Sequence, residues 1–321
     1  MNWVTWRLQR TETLIALAMF ALIAALLIPT GLRMASAYDH QGLAACVSAA
    51  DIRCQDTVAA FTNRYGHGVA GLFAWFNLVP GILGALFAAP FVLELESGTF
   101  RLAWTQSITR RAWLVRKLGM TIVAELLGAL ALTLLLTWWR TPLDQLHGRM
   151  DQNVFDFEGI VTFGYVLFAL GLTLALGAVW RRTAPAVVVG FIGFTVVRIF
   201  VLGWLRQRYV APLGSTFKFG PKRAGPDLHD AWVLSQQPSD KLGHPVSQAF
   251  DVLLQCSQAV KANSRLIDPS CLARHGAGYN HTVYQPASRF WLFQGIETAI
   301  FAGLAVALIA FTVWWVRERV S

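Results

Sequence analysis

The chain has 321 residues, of which 55% are hydrophobic and only 14% charged, and its 27 Lys and Arg against 18 Asp and Glu give a formal charge of +9. Disordered chains need low hydrophobicity and soluble domains carry about 25% charged residues, so both classes are excluded and a membrane protein remains. The positive charge does not point to nucleic acid, because the basic residues are spread among apolar blocks and form no single stripe.

From Met1 to Glu12, Trp3, Val4, Trp6 and Leu8 mix with Arg7 and Arg10. This predicts a cytoplasmic interfacial helix over residues 1–12. Six apolar runs follow, each near the roughly 20 residues needed to cross hydrocarbon. They are Thr13 to Leu32, Gly68 to Leu93, Lys117 to Trp139, Gly159 to Trp180, Ala186 to Leu205 and Trp291 to Val316. Trp138, Trp139, Trp180, Trp204, Trp291, Trp314 and Trp315 fall at their ends, where indoles favour the headgroup layer. Ala35-Ser36-Ala37 has the form of a signal-peptide cleavage site, but the run before it exceeds the roughly 7–15 residues of a signal h-region, which favours a retained span.

Short connections orient the chain, because their Lys and Arg stay in the cytoplasm. Arg7 and Arg10 precede the first run, Arg101, Arg110, Arg111 and Arg116 lie between the second and third, Arg181 and Arg182 between the fourth and fifth, and Arg317 and Arg319 follow the sixth. Both termini are therefore expected inside, and residues 33–67, 140–158 and 206–290 outside. The predicted fold is an all-α membrane protein with spans one to five over residues 13–205, an extracytoplasmic region at 206–290, and span six with a cytoplasmic tail at 291–321. Residues 206–290 are too long for a structureless connection and should form a small cap, with a short helix from Ala249 to Val260.

All four cysteines lie on the predicted outer face, Cys46 and Cys54 in the first loop and Cys256 and Cys271 in the last. That fits an oxidising compartment. Four cysteines allow three pairings; closure within each loop, Cys46 with Cys54 and Cys256 with Cys271, is preferred because short loops cost least to close. A metal site that adds His275 and His281 to Cys271 matches no standard zinc spacing, so no metal is expected.

The most informative stretch runs from Glu94 to Lys117. Gly98 can take the left-handed conformation that ends a helix and Thr99 can cap the next. A short element from Phe100 to Gln106 follows, after which Ser107 or Thr109 can cap span three. Here the sequence resembles the permease subunits of type-2 ATP-binding-cassette (ABC) exporters. They carry an acidic-x-acidic-x-Gly-Thr turn followed by Arg-Leu-x-Trp-Thr-Gln-Ser-x-Thr-Arg. In this chain the pattern stands as Glu94, Glu96, Gly98, Thr99, Arg101, Leu102, Trp104, Thr105, Gln106, Ser107, Thr109 and Arg110. A second match begins at Tyr284-Gln285-Pro286 and leads through Trp291 to Gln294 and Glu297.

The resemblance implies that residues 94–116 form a coupling segment, with a coupling helix seated in a groove of a separate cytoplasmic ABC ATPase. It also implies a second permease copy, as a homodimer in the bacterial cytoplasmic (inner) membrane, with ATP and Mg on the partner ATPase. This chain has no Gly-x4-Gly-Lys-Ser/Thr loop of its own and is expected to carry no cofactor. The alternatives are a non-transporting sensor or immunity subunit, and a polytopic membrane enzyme; no His-Glu-x-x-His or Gly-x-Ser-x-Gly motif supports the enzyme.

Three charges lie within spans: Glu125 in span three, Arg198 in span five and Glu297 in span six. Such groups are costly in hydrocarbon and should face protein or water. At about 1.5 Å rise per residue, Arg198 lies about 18 Å and Glu297 about 21 Å from the inside, so these two are level and can pair, whereas Glu125 lies near 12 Å and is expected to be alone. Pro80-Gly81 is placed to kink span two, and Pro90 sits near that span's inner end.

Overall fold

The computed structural model describes residues 2–49, 54–66, 76–101, 109–150, 154–218, 226, 228, 230–258 and 269–319. Among them, six helices are long and apolar enough to cross a membrane, one at each predicted place. They are α1 (Asn2–His40), α4 (Val79–Ser97), α5 (Arg110–His147), α6 (Val161–Trp180), α7 (Thr183–Phe200) and α10 (Phe290–Arg319). Residues 2–12 are the first turns of α1, continuous with its span. The chain divides into two compact units: one holds residues 1–146, 153–206 and 291–321, the other residues 147–152 and 207–290.

In the first unit α6 is the central helix, with 78% of its most apolar window buried against 11% for α1. Small residues let its neighbours come close. A Cβ on Gly84 of α4 would lie 2.5–2.8 Å from Ala169 and Leu170 of α6, and one on Gly177 of α6 would lie 2.2 Å from Val92 of α4. Such contacts bring backbones together where dispersion and shape hold helices, since lipid offers no hydrophobic drive for association. Pro80 stands in the first turn of α4, not at mid-span, because a turn at Asn77–Leu78 precedes the helix. A proline there lacks only an amide hydrogen that has no partner in the helix anyway. Gly81 is required for another reason: a Cβ there would meet the Phe194 ring at 2.5 Å.

Two short helices, α2 (Leu43–Ala49) and α3 (Gln55–Phe61), follow α1, and a disulfide joins Cys46 to Cys54 between them. Tyr38, Leu43 and Phe61 pack into the core that Leu132, Leu136 and Trp139 of α5 share.

The second unit contains a three-stranded antiparallel sheet in the order β1 (Leu213–Lys218), β3 (Tyr279–Gln285), β2 (Trp232–Ser239). No local pattern in the sequence announces it, because the strands pair across 40 to 71 residues and none of them alternates cleanly. Beside the sheet in sequence stand α8 (Ala249–Gln258), at the place expected for a short helix, and α9 (Pro269–Arg274). Cys256 and Cys271 join these two helices, and both are buried with Val252, Leu272 and Ala277 in one small core. Both disulfides thus close within their own loops.

Candidate coupling site and buried charge cluster

The helix ends around Gly98 form a polar web. Gly98 ends α4 at φ 72, and the next turn begins with a hydrogen bond from Arg101 N–H to the Gly98 carbonyl. Phe100 is buried against Trp113, while Arg101 is exposed. Trp104, Thr105, Gln106 and Ser107 lie outside the described residues, as does most of the expected coupling helix. Thr99 shares a hydrogen bond with Ser97 through the two hydroxyls, and Thr109 accepts from Ala112 N–H, which makes it the cap of α5.

The two carboxylates before Gly98 reach different helices. Glu94 forms an ion pair with Lys117 of α5. Glu96 accepts from the Thr183 amide at 2.8 Å and from its hydroxyl at 2.6 Å, so a side chain of α4 caps the first turn of α7. Arg182 precedes that turn and makes no side-chain cap of its own. A carboxylate there meets both the unpaired amides and the positive end of the helix dipole. The last carbonyls of α10 are held in turn by Arg110, which donates to Arg317 O, and by Arg181, which donates to Arg319 O. Five of the six spanning helices are therefore tied together where α4 ends and α5 begins.

A second cluster lies at the opposite end, where α4 and α6 begin and α7 finishes. There the helix runs on through a π turn, Val201–Leu205, into a 3-10 turn at Arg206–Arg208. Arg206, read from sequence as the first residue of the outer loop, is buried. It donates to Glu297 at 2.7 and 2.8 Å, pairs with Asp156, and lies over the Phe155 ring at 4.4 Å. Arg198 donates to Asp156 at 2.9 Å and to Asn77 at 3.0 Å, with its guanidinium 3.7 Å from the centre of the Tyr165 ring. The Tyr165 hydroxyl lies within hydrogen-bond distance of both carboxylates, 2.5 Å from Glu297 and 2.9 Å from Asp156, and can donate its one hydrogen to either.

Two arginines thus face two carboxylates with no net charge. Burial works to raise the Asp156 carboxyl, but Arg198 and Arg206 outweigh it and hold the group below its usual range. Arg198 and Glu297 do join one cluster, as their equal depth suggested. The arginine hydrogen-bonded to the Glu297 carboxylate, however, is Arg206.

Gln294, one turn before Glu297, accepts from the amides of Ile160 and Val161 at 3.1 and 2.9 Å and donates to Phe155 O at 2.8 Å. It caps α6 from α10 as Glu96 caps α7 from α4. Glu125 stands apart from both clusters. It is fully buried, and neither carboxylate oxygen has a hydrogen-bond partner among the described residues.

Cys256, Cys271 and His275 lie close enough to share an ion, but the two sulfurs are bonded to each other and are not available as thiolates.

The six apolar helices among the described residues, with polar webs at both ends, define a multi-pass membrane protein. The family model described as ABC-2 membrane transporter related matches residues 17–206, and the chain belongs to that family. It is thus a membrane permease component of an ABC transporter, a transport subunit of a kind that works with an ABC ATPase. Comparison with curated proteins and with solved structures gave no match.

Proposed function

We propose that this subunit, as a homodimer in the bacterial inner membrane, exports a hydrophobic or amphipathic solute, driven by ATP and Mg held on a separate cytoplasmic ATPase. The observation that supports this reading is the web at the end of α4 and the start of α5: Glu94 ties α4 to α5, Glu96 ties α4 to α7, and Arg110 and Arg181 reach the end of α10. A push at that junction moves several spans together, which is the requirement for a coupling element. The orientation with both termini and Gly98 in the cytoplasm follows from the arginine-rich short connections. Opening the far side requires rearrangement where α6, α7 and α10 meet, at the cluster of Asp156, Arg198, Arg206 and Glu297.

Arg101 and Trp104 are three residues apart, a spacing that on a helix would put them on one face. Losing an interfacial Trp or Arg commonly costs about 2 kcal/mol, roughly a thirtyfold loss of affinity. The double change Arg101→Ala with Trp104→Ala should release the ATPase in co-purification and abolish ATP-dependent transport into inverted vesicles, with the spans inserted normally. Unchanged binding and transport in a folded double variant would overturn the coupling assignment. Transport itself separates an exporter from a sensor or immunity subunit.

A further inference from the structure

The apolar run of α1 ends beside a pair of indoles. Trp139 donates to the Thr30 hydroxyl at 3.0 Å, and a Cβ on Gly31 would meet the Trp138 and Trp139 rings at 2.9 and 2.8 Å. Indoles favour the headgroup layer, which adds about 5–8 Å on each side of the hydrocarbon. Arg33 and Ser36 follow Gly31 within about 8 Å of helix rise, so they stand at headgroup depth.

Next to this stretch lies the π turn Thr62–Gly66, which contacts between the Phe61 ring and those of Tyr38 and Tyr65 hold beside α1. An open cleft of about 550 Å³ is lined by Leu32, Arg33, Ser36 and His40 of α1 and by Arg64 and Tyr65 of the π turn. Arg33, Ser36 and His40 follow at spacings of three and four, so one face of α1 supplies them. Arg33, His40 and Arg64 are exposed, and no carboxylate among the described residues pairs with any of them. Asp39, the nearest acid in the chain, is not part of the lining. In the orientation proposed above this is the outer face, where arginines beside a span run against the usual bias.

We propose that this cleft binds the headgroup of an anionic phospholipid, with the phosphate held by Arg33 and Arg64, the headgroup hydroxyls met by Ser36 and Tyr65, and the glycerol end resting on Leu32. A guanidinium offers phosphate oxygens paired N–H donors. A zwitterionic lipid carries the same phosphate, but its ammonium would meet two guanidiniums and no carboxylate in the lining. A soluble phosphate would make no use of Leu32 or of a cleft at headgroup depth. The assignment rests on the proposed orientation only in naming the outer leaflet.

The purified full chain in detergent is titrated with dioctanoyl phosphatidylglycerol or dioctanoyl phosphatidylcholine, and bound lipid is counted by native mass spectrometry. The wild type should bind the first phosphatidylglycerol at least about tenfold tighter than phosphatidylcholine, the equivalent of 1.4 kcal/mol. Arg33→Gln with Arg64→Gln should abolish that preference and leave phosphatidylcholine binding as it was. Lys241→Gln with Arg274→Gln removes the same charge from exposed positions of the other unit and should leave the preference intact. Glycerol 3-phosphate at matching concentration should not displace the lipid. Equal affinities for the two lipids, an unchanged preference in the Arg33 and Arg64 variant, or an equal loss in the Lys241 and Arg274 variant would overturn the site. Displacement by glycerol 3-phosphate would overturn the lipid in favour of a soluble phosphate. If the Arg33 and Arg64 variant does not fold, an undiminished preference in a folded Ser36→Trp, which fills the cleft from α1, overturns the site instead. No ATPase is present, so failure here leaves the coupling assignment intact, and failure of that assignment leaves this binding measurable.

Discussion

Glu96, near the end of α4, accepts hydrogen bonds from both the amide and the hydroxyl of Thr183, the first residue of α7. One side chain thereby makes the start of one span depend on the end of another. Glu96→Ala should uncouple the two, lowering the ratio of transport to ATP hydrolysis in vesicles that hold both subunits. Glu96→Gln keeps an acceptor oxygen and should recover part of the ratio. An Ala variant with normal coupling would show that this cap only trims a helix end.

Gly98 sits at φ 72 with open space around it, so any cost of a side chain there comes from the backbone alone. Gly98→Ala should destabilise the subunit by about 1 kcal/mol, and Gly98→Asn by less, since Asn tolerates the left-handed region. Thermal unfolding in detergent measures both. Equal losses for the two variants would mean that space, not backbone conformation, dictates the glycine.

The spans were legible in the sequence because hydropathy and length alone decide them, and so were Gly98 and Thr109, whose roles depend on neighbouring residues only. The polar webs were not. Glu96 and Thr183 are 87 residues apart and Arg206 and Glu297 are 91 apart, and no local pattern announces such pairs. Arg206 was placed in the loop because Gln207, Arg208 and Tyr209 follow it, a polar end that hid the continuation of α7. Asp156 and Tyr165 gave one signal that went unused: a carboxylate and a phenol flanking the start of a span, level with Arg198. The sheet escaped because β1 and β2 meet only through β3, late in the chain.

The Cys256–Cys271 bridge closes a separation of 15 residues, and a loop of that length is worth about 3 kcal/mol in chain entropy. Cys256→Ala with Cys271→Ala should loosen the small core of Val252, Leu272 and Ala277, and limited proteolysis should then cut α8 and α9 first. The Cys46–Cys54 bridge, with a separation of 8, should matter less. Non-reducing peptide mapping checks the pairing, and a peptide joining Cys46 to Cys271 would contradict it.

Asp156 titrates below the usual carboxylate range in the folded protein because Arg198 and Arg206 overcome the opposing effect of burial. A depressed folded value means that its contribution is fully present above the unfolded value of about 3.9 and is lost as pH falls through the lower, folded one. Unfolding measured between about pH 3 and pH 7 should therefore show no loss from this group in the neutral range and a loss only at the acid end. Asp156→Asn should lower stability at neutral pH and remove this residue's share of the acid limb. A variant whose acid limb matches the wild type would assign that limb to other carboxylates.

Arg206 and Glu297 make the tightest test of the buried cluster, because two hydrogen bonds join them and both are shielded from solvent. Removing one partner leaves the other charge buried without compensation, which commonly costs about 3–5 kcal/mol, whereas replacing both by apolar groups of similar size is often neutral. Arg206→Met alone should therefore lower the melting temperature sharply. Arg206→Met with Glu297→Met should recover much of that loss, less what Asp156 and Tyr165 forfeit when they too lose a partner. If the cluster also holds the far side closed, the double variant should bind the ATPase normally yet pass solute without ATP. Full recovery of stability with transport still strictly dependent on ATP would leave Arg206 and Glu297 a packing pair and move the gate elsewhere.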